Sequence, residues 1–180
     1  MIVAHDLAVY LFSAMNTFTP MKDHNYYEPQ SVTQARYEQF AEDVASVSLD
    51  PRIKPLFSGD EGRIKTALLL VVMASFESSY RNDVMSCKKV GDRGVSFGPW
   101  QSQRSPDTVC QGNIQAAWVA IEMIHESFQV CHGTDISYRL AEYTDGNAWD
   151  TPRAFKRSSD RMDTAIHYYS THKPKVKASN

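Results

Sequence analysis

Ala67-Leu68-Leu69-Leu70-Val71-Val72-Met73-Ala74-Ser75-Phe76 is an almost unbroken apolar run, closed by Glu77 and followed by Ser78, Ser79, Tyr80 and Arg81. A run this long favours helix over buried strand. Because it is apolar on every face, it reads as a central helix surrounded by other elements. The expected span is about Glu61 to Ser79, with Ser58 and Glu61 forming a capping-box pattern ahead of it. A mainly α fold follows if the rest of the chain supplies amphipathic helices to cover this rod.

It does. Ser31 and Gln34 repeat the capping pattern, and Tyr37, Phe40, Ala41, Val44 and Ala45 recur at helical spacing, up to a stop before Asp50-Pro51. Ile114, Ala117, Trp118, Ile121, Ile124 and Phe128 form one stripe of a helix from about Asn113 to Gln129. A shorter helix with Ile136, Leu140 and Tyr143 facing inward ends near Asp145-Gly146. Thr151 and Pro152 then open a last helix, where proline in the first turn is tolerated; its buried face is Phe155, Met162, Ala165, Ile166 and Tyr169. Between Arg81 and Gly112 the glycines and prolines predict a long loop or small hairpin, and such a segment inside a compact domain is usually functional. The first thirty residues are the least readable, with Tyr26-Tyr27-Glu28-Pro29 as a connector. These divisions give a helical extension over 1–60 packed on the core, a main domain over 61–172 and a basic tail over 173–180.

The 180 residues carry 19 basic and 21 acidic side chains, a net charge of −2, which gives no argument for nucleic-acid binding. Lys173, Lys175 and Lys177 read as a solvated tail. No membrane span is expected, since the apolar Met1–Phe18 stretch is short and contains His5 and Asp6. It also lacks the features of a secretory signal. Cys110 and Cys131 flank a helix about 25 Å long, too far for a disulfide. Cys87 could pair with either, but three free thiols are the expectation. Without CxxC or HxxxH spacing, and with His125, His132 and His167 unaligned, no metal and no cofactor are expected.

Glu77 carries the chemistry. Low dielectric favours the neutral form of a carboxyl, and a protonated carboxyl is what a general acid needs to cleave a glycosidic bond. The bland reading pairs Glu77 with Arg81, four residues on. Other groups have bland readings too: Tyr143 as a core tyrosine, Trp100 as a loop anchor, Asp83, Asp92 and Arg93 as turn residues. Arg157 and Arg161 are read as solvent-facing or paired with acids such as Asp160, with a grip on peptide carboxylates as the alternative.

Three segments lie in order: Phe76-Glu77-Ser78-Ser79-Tyr80, Ser96-Phe97-Gly98-Pro99-Trp100-Gln101 and Leu140-Ala141-Glu142-Tyr143-Thr144-Asp145-Gly146. With Asn113-Ile114, they resemble the lytic transglycosylases of the soluble, goose-lysozyme-like type, over roughly Ile64 to Tyr169. Pro99-Trp100 and Thr144-Asp145 depart from that family's pattern. The resemblance implies a lysozyme-like helical domain, acting as a monomer on the peptidoglycan glycan strand. It would cleave between N-acetylmuramic acid and N-acetylglucosamine with a 1,6-anhydro product. Glu77 would be the single acid/base, oriented by a hydrogen bond from Tyr143. Ser78, Ser96, Gly98, Trp100, Gln101 and Tyr143 would contact substrate, with the Trp100 indole as a flat surface for a sugar ring. Two rivals stand beside this: a hydrolase in which Asp92 or Asp145 activates water, and a non-catalytic wall-binding or virion module. Acting on the wall without a recognisable signal implies phage delivery, release through a holin or another export route.

Overall fold

The computed structural model describes residues 2–24, 27–146 and 151–174. Tyr26 of the expected connector, and Lys175 and Lys177 of the expected tail, lie outside the described residues. Among the described residues there are eight α-helices and no strand: α1 Ala4–Phe18, α2 Gln30–Leu49, α3 Gly62–Ser78, α4 Asn82–Met85, α5 Pro106–Val109, α6 Asn113–Val130, α7 Ala141–Asp145 and α8 Pro152–Thr171. The mainly α fold expected from the apolar run is the observed one.

Helix α3 is the axis of the molecule. Ile64, Thr66 and every residue from Ala67 to Ala74 are buried, and α1, α2, α6 and α8 all pack on it. Leu7, Leu11, Ala14 and Met15 of α1 repeat at helical spacing and enter the same core as Tyr37, Phe40 and Val44 of α2. Half of the unreadable first thirty residues are therefore a core helix. Their core stripe is diluted by exposed Val3 and Val9 and by small alanines, which blunts its periodicity.

Several boundaries differ from expectation. Pro29, not Ser31, stands at the start of α2, and neither Ser31 nor Ser58 caps a helix with its side chain. Proline presets the backbone angle for a first turn, so α2 begins earlier. Thr151 does cap α8, its Oγ1 accepting from the Ala154 N–H at 3.1 Å. The helix expected around Ile136 to Tyr143 is two short pieces, a 3-10 turn at Ile136–Tyr138 and α7. Ile136, Ile114 and Ile166, expected to face inward, are exposed; Ile136 and Ile166 line a surface cleft with Met162 and Tyr169 between the 3-10 turn and α8 and do not enter the core.

The cysteines also depart from three free thiols. Cys87 and Cys110 form a disulfide with Cα atoms 5.9 Å apart, and Cys131 is free and buried. Cys110 and Cys131 are held apart by α6, as expected. The Cys87–Cys110 proximity comes from folding of the glycine-rich loop, which sequence spacing does not encode.

Candidate active site

The chain from Cys87 to Cys110 holds its shape with few backbone ladders. Isolated antiparallel bridges join Gly91 to Ser96 and Phe97 to Ser102. Asp92, Arg93, Gly94, Gly98 and Gln101 all have positive φ, a conformation costly for residues with a Cβ. The disulfide closes the base of this loop, and Trp100 anchors its centre. The indole is 1% exposed, packs on Phe40 with ring centroids 5.3 Å apart, and donates from Nε1 to the Leu70 carbonyl of α3 at 2.8 Å. The Gln101 side chain lies over Gly91: a Cβ there would sit 2.0 Å from Gln101 Oε1 and would push that side chain aside.

The loop forms one wall of a groove of about 500 Å³, whose other walls come from the end of α3, α6, α7 and the start of α8. Glu77 lies in it, in the last turn of α3, with its side chain 19% exposed. This end of a helix is the negative end of its dipole, where a carboxylate is disfavoured. Arg161 of α8 compensates, donating to Glu77 Oε1 from Nε at 3.1 Å and from Nη2 at 2.6 Å. Among the described residues both bonds to the carboxylate end on Oε1, and none reaches Oε2.

Arg161 corrects two readings. The expected Glu77–Arg81 pair does not form; Arg81 instead binds Asp83 at 2.6 Å. Arg161 and Arg157 do pair with acids, as one expected reading had it, but the acids are Glu77 and Asp145, not Asp160, which pairs with Lys156. The low-dielectric helix end expected for Glu77 is instead a guanidinium-lined position. A signal for this was in the sequence: Arg161 is in register with Ser158, Met162 and Ala165 on the buried stripe of α8.

Of the seven residues expected at the site, Glu77, Trp100, Gln101 and Tyr143 line the groove, and Ser78, Ser96 and Gly98 do not. Ser78 is buried; its Oγ donates to the Ala74 carbonyl and accepts from the Tyr80 N–H, shaping the turn out of α3. Ser96 is fully buried and donates to Asp92 Oδ2 at 2.5 Å. Gly98, at φ 69°, serves packing, since a Cβ would lie 2.9 Å from Val109 Cγ1. The Trp100 ring, expected as a flat surface for a sugar, is turned into the core against Phe40 and the Leu70 carbonyl and offers the groove no open face. Tyr143 does not hydrogen-bond Glu77; its hydroxyl donates to the Trp100 carbonyl at 2.6 Å. Burial first, and then the nearby Glu77 carboxylate, push that hydroxyl well above the usual phenol range, so it stays a donor.

Two buried serines that sequence reading passed over set Tyr143 in place. Ser127 Oγ of α6 accepts from the Tyr143 N–H at 3.0 Å, and Ser158 Oγ of α8 accepts from the Leu140 N–H at 2.9 Å. Charged groups complete the rim. Asp145 accepts from Arg157 at 3.1 Å and lies 3.7 Å from Arg153, while Arg104 pairs with Glu126. Asp92 also lines the groove and has no ion pair among the described residues. Among the described residues no cluster of His, Cys, Asp or Glu could hold a metal ion, and no helix is long and apolar enough to cross a membrane. Compared with known protein families, curated proteins and solved structures, the chain matches none of them.

Proposed function

We propose that the groove binds a peptidoglycan glycan strand and that Glu77 cleaves it as the single acid/base of a lytic transglycosylase on a lysozyme-like helical scaffold. The observation carrying this reading is the placement of Glu77: a carboxylate ending the buried central helix, inside a polar groove, with Oε1 engaged by Arg161 and Oε2 without a protein bond among the described residues. In the reaction, Oε2 delivers a proton to the glycosidic oxygen while the bond from muramyl C1 to that oxygen breaks. The muramyl C6 hydroxyl then bonds to C1, and its proton returns to Glu77. No water is consumed, and the sugar ends as the 1,6-anhydro form. Gln101 supports the reading as a side-chain amide on the groove wall, held by its Nε2 donating to the Gly98 carbonyl at 3.0 Å, a group type suited to sugar hydroxyls. The proposed setting is a phage lysis or entry protein, or an exported wall enzyme.

A hydrolase on the same scaffold is the second reading, favoured by Asp92 in the same groove. Asp145 suits a water-activating role less well, being held by Arg157 and Arg153. Mass spectrometry of digested sacculi separates the outcomes. Anhydro-muropeptide ends support the lyase, and reducing ends support the hydrolase. Binding without any cleavage leaves a wall-binding module. Glu77→Gln keeps the shape and removes the proton, and should lower the rate about 10²–10⁴-fold. Cleavage by that variant at the parent rate overturns the proposal.

A further inference from the structure

We infer that Arg161 is the positioning residue for Glu77, fixing which carboxylate oxygen faces the substrate; this rests on the reading of Glu77 as the acid/base. Two N–H groups of one planar guanidinium converge on Oε1 at 3.1 and 2.6 Å. Two donors on one oxygen set the carboxylate's rotation and leave Oε2 as the oxygen able to exchange a proton with substrate. The guanidinium is itself immobilised. Its side chain is 9% exposed, Nη1 donates to the Arg157 carbonyl at 2.8 Å, and its Cζ lies over the Phe76 ring, 4.9 Å from the centroid. Arg157 and Arg153, one and two turns earlier on α8, are far more exposed and engage Asp145. Arg161 is thus the member of this arginine row built into the interior, and it joins α8 to the end of α3 at the one carboxylate the reaction uses.

Lysine keeps the charge but loses the planar fork, so Arg161→Lys tests geometry apart from charge. Arg161→Met removes both, and a denaturant melt of each variant checks that it folds. On soluble uncrosslinked glycan strands, Arg161→Lys should lower kcat roughly tenfold and Arg161→Met roughly a hundredfold, the scale of loss from misplacing a catalytic group. KM should stay within about twofold in both, because Arg161 offers substrate no direct contact. In the Glu77→Gln background, either change should cause no further loss, since residues acting as one unit are non-additive. Lys156→Met, removing an exposed charge from the same helix, should leave kcat unchanged. Parent-level kcat in both Arg161 variants overturns the inference, as does a further full loss on top of Glu77→Gln. Should Glu77→Gln itself cleave at the parent rate, the lytic reading fails, a result told apart because it appears with Arg161 intact.

Discussion

Replacing Trp100 with phenylalanine tests whether the indole is a core anchor or a sugar platform. The ring is almost wholly buried, stacked at a tilt on Phe40, and hydrogen-bonded to the Leu70 carbonyl. That carbonyl sits inside α3 and keeps its helical partner, so the change forfeits only the net value of the bond, about 1 kcal/mol. The smaller ring leaves a void lined by α2 and α3 side chains, worth a further 1–2 kcal/mol, about a third of a full truncation to alanine. The sum, about 2–3 kcal/mol, corresponds to a fall in Tm of about 4–12 °C for a chain of this length. Thermal and urea melts followed by circular dichroism measure it. Glycan affinity, read well below the new Tm, should follow the folded fraction and nothing else. A variant with parental stability and a selective loss of glycan affinity would falsify the burial argument.

Other outcomes follow from single contacts. Reducing the Cys87–Cys110 bridge, or replacing both with serine, should cost about 3 kcal/mol for a loop of this size; differential alkylation should find one free thiol, Cys131, reactive only after unfolding. Gly62→Ala should destabilise by about 1–3 kcal/mol through crowding, reversing the gain alanine usually brings to a helix, because the added Cβ would lie 2.0 Å from the Phe57 carbonyl oxygen; an unchanged Tm refutes this. His24 is buried against Tyr37, and that burial, with Arg36 nearby adding to it, lowers its pKa from 6.5. Below 6.5 the unfolded chain therefore binds more protons than the folded one, and the contribution present above 6.5 is lost as pH falls through the folded value. Melts across acidic pH should show this loss, and His24→Gln should flatten it.

The central rod was readable because burial on every side leaves one signature, an apolar run with no polar face, and Leu68 to Val72 carry it without neighbours being known. Helices α2, α6 and α8 were readable for the complementary reason: each buries one stripe, so the period survives in sequence. Helix α1 was hidden where small and exposed apolar residues blurred the stripe, and α7 where a few residues cannot establish a period. At the groove, the sequence placed Glu77 at the end of the rod, and with it Gln101 and Tyr143 on the walls. It could not say where Trp100 would turn, because an indole serves equally as a core filler with one hydrogen bond or as an exposed plane; only the position of Leu70 and Phe40 decides.

Sequence alone determined that this chain is helical, that one helix is buried along its apolar run from Ala67 to Ala74, though Phe76 at its end is 45% exposed, and that a carboxylate closes it. These are local properties, set by periodicity and by side-chain chemistry along a continuous segment. Tertiary structure decided the partners: Arg161 on Glu77 across 84 residues of chain, Cys87 on Cys110, and the Tyr143 hydroxyl on the Trp100 carbonyl. Such pairings depend on how α3, α8 and the glycine-rich loop pack together, and packing geometry leaves no fixed spacing in the sequence to read.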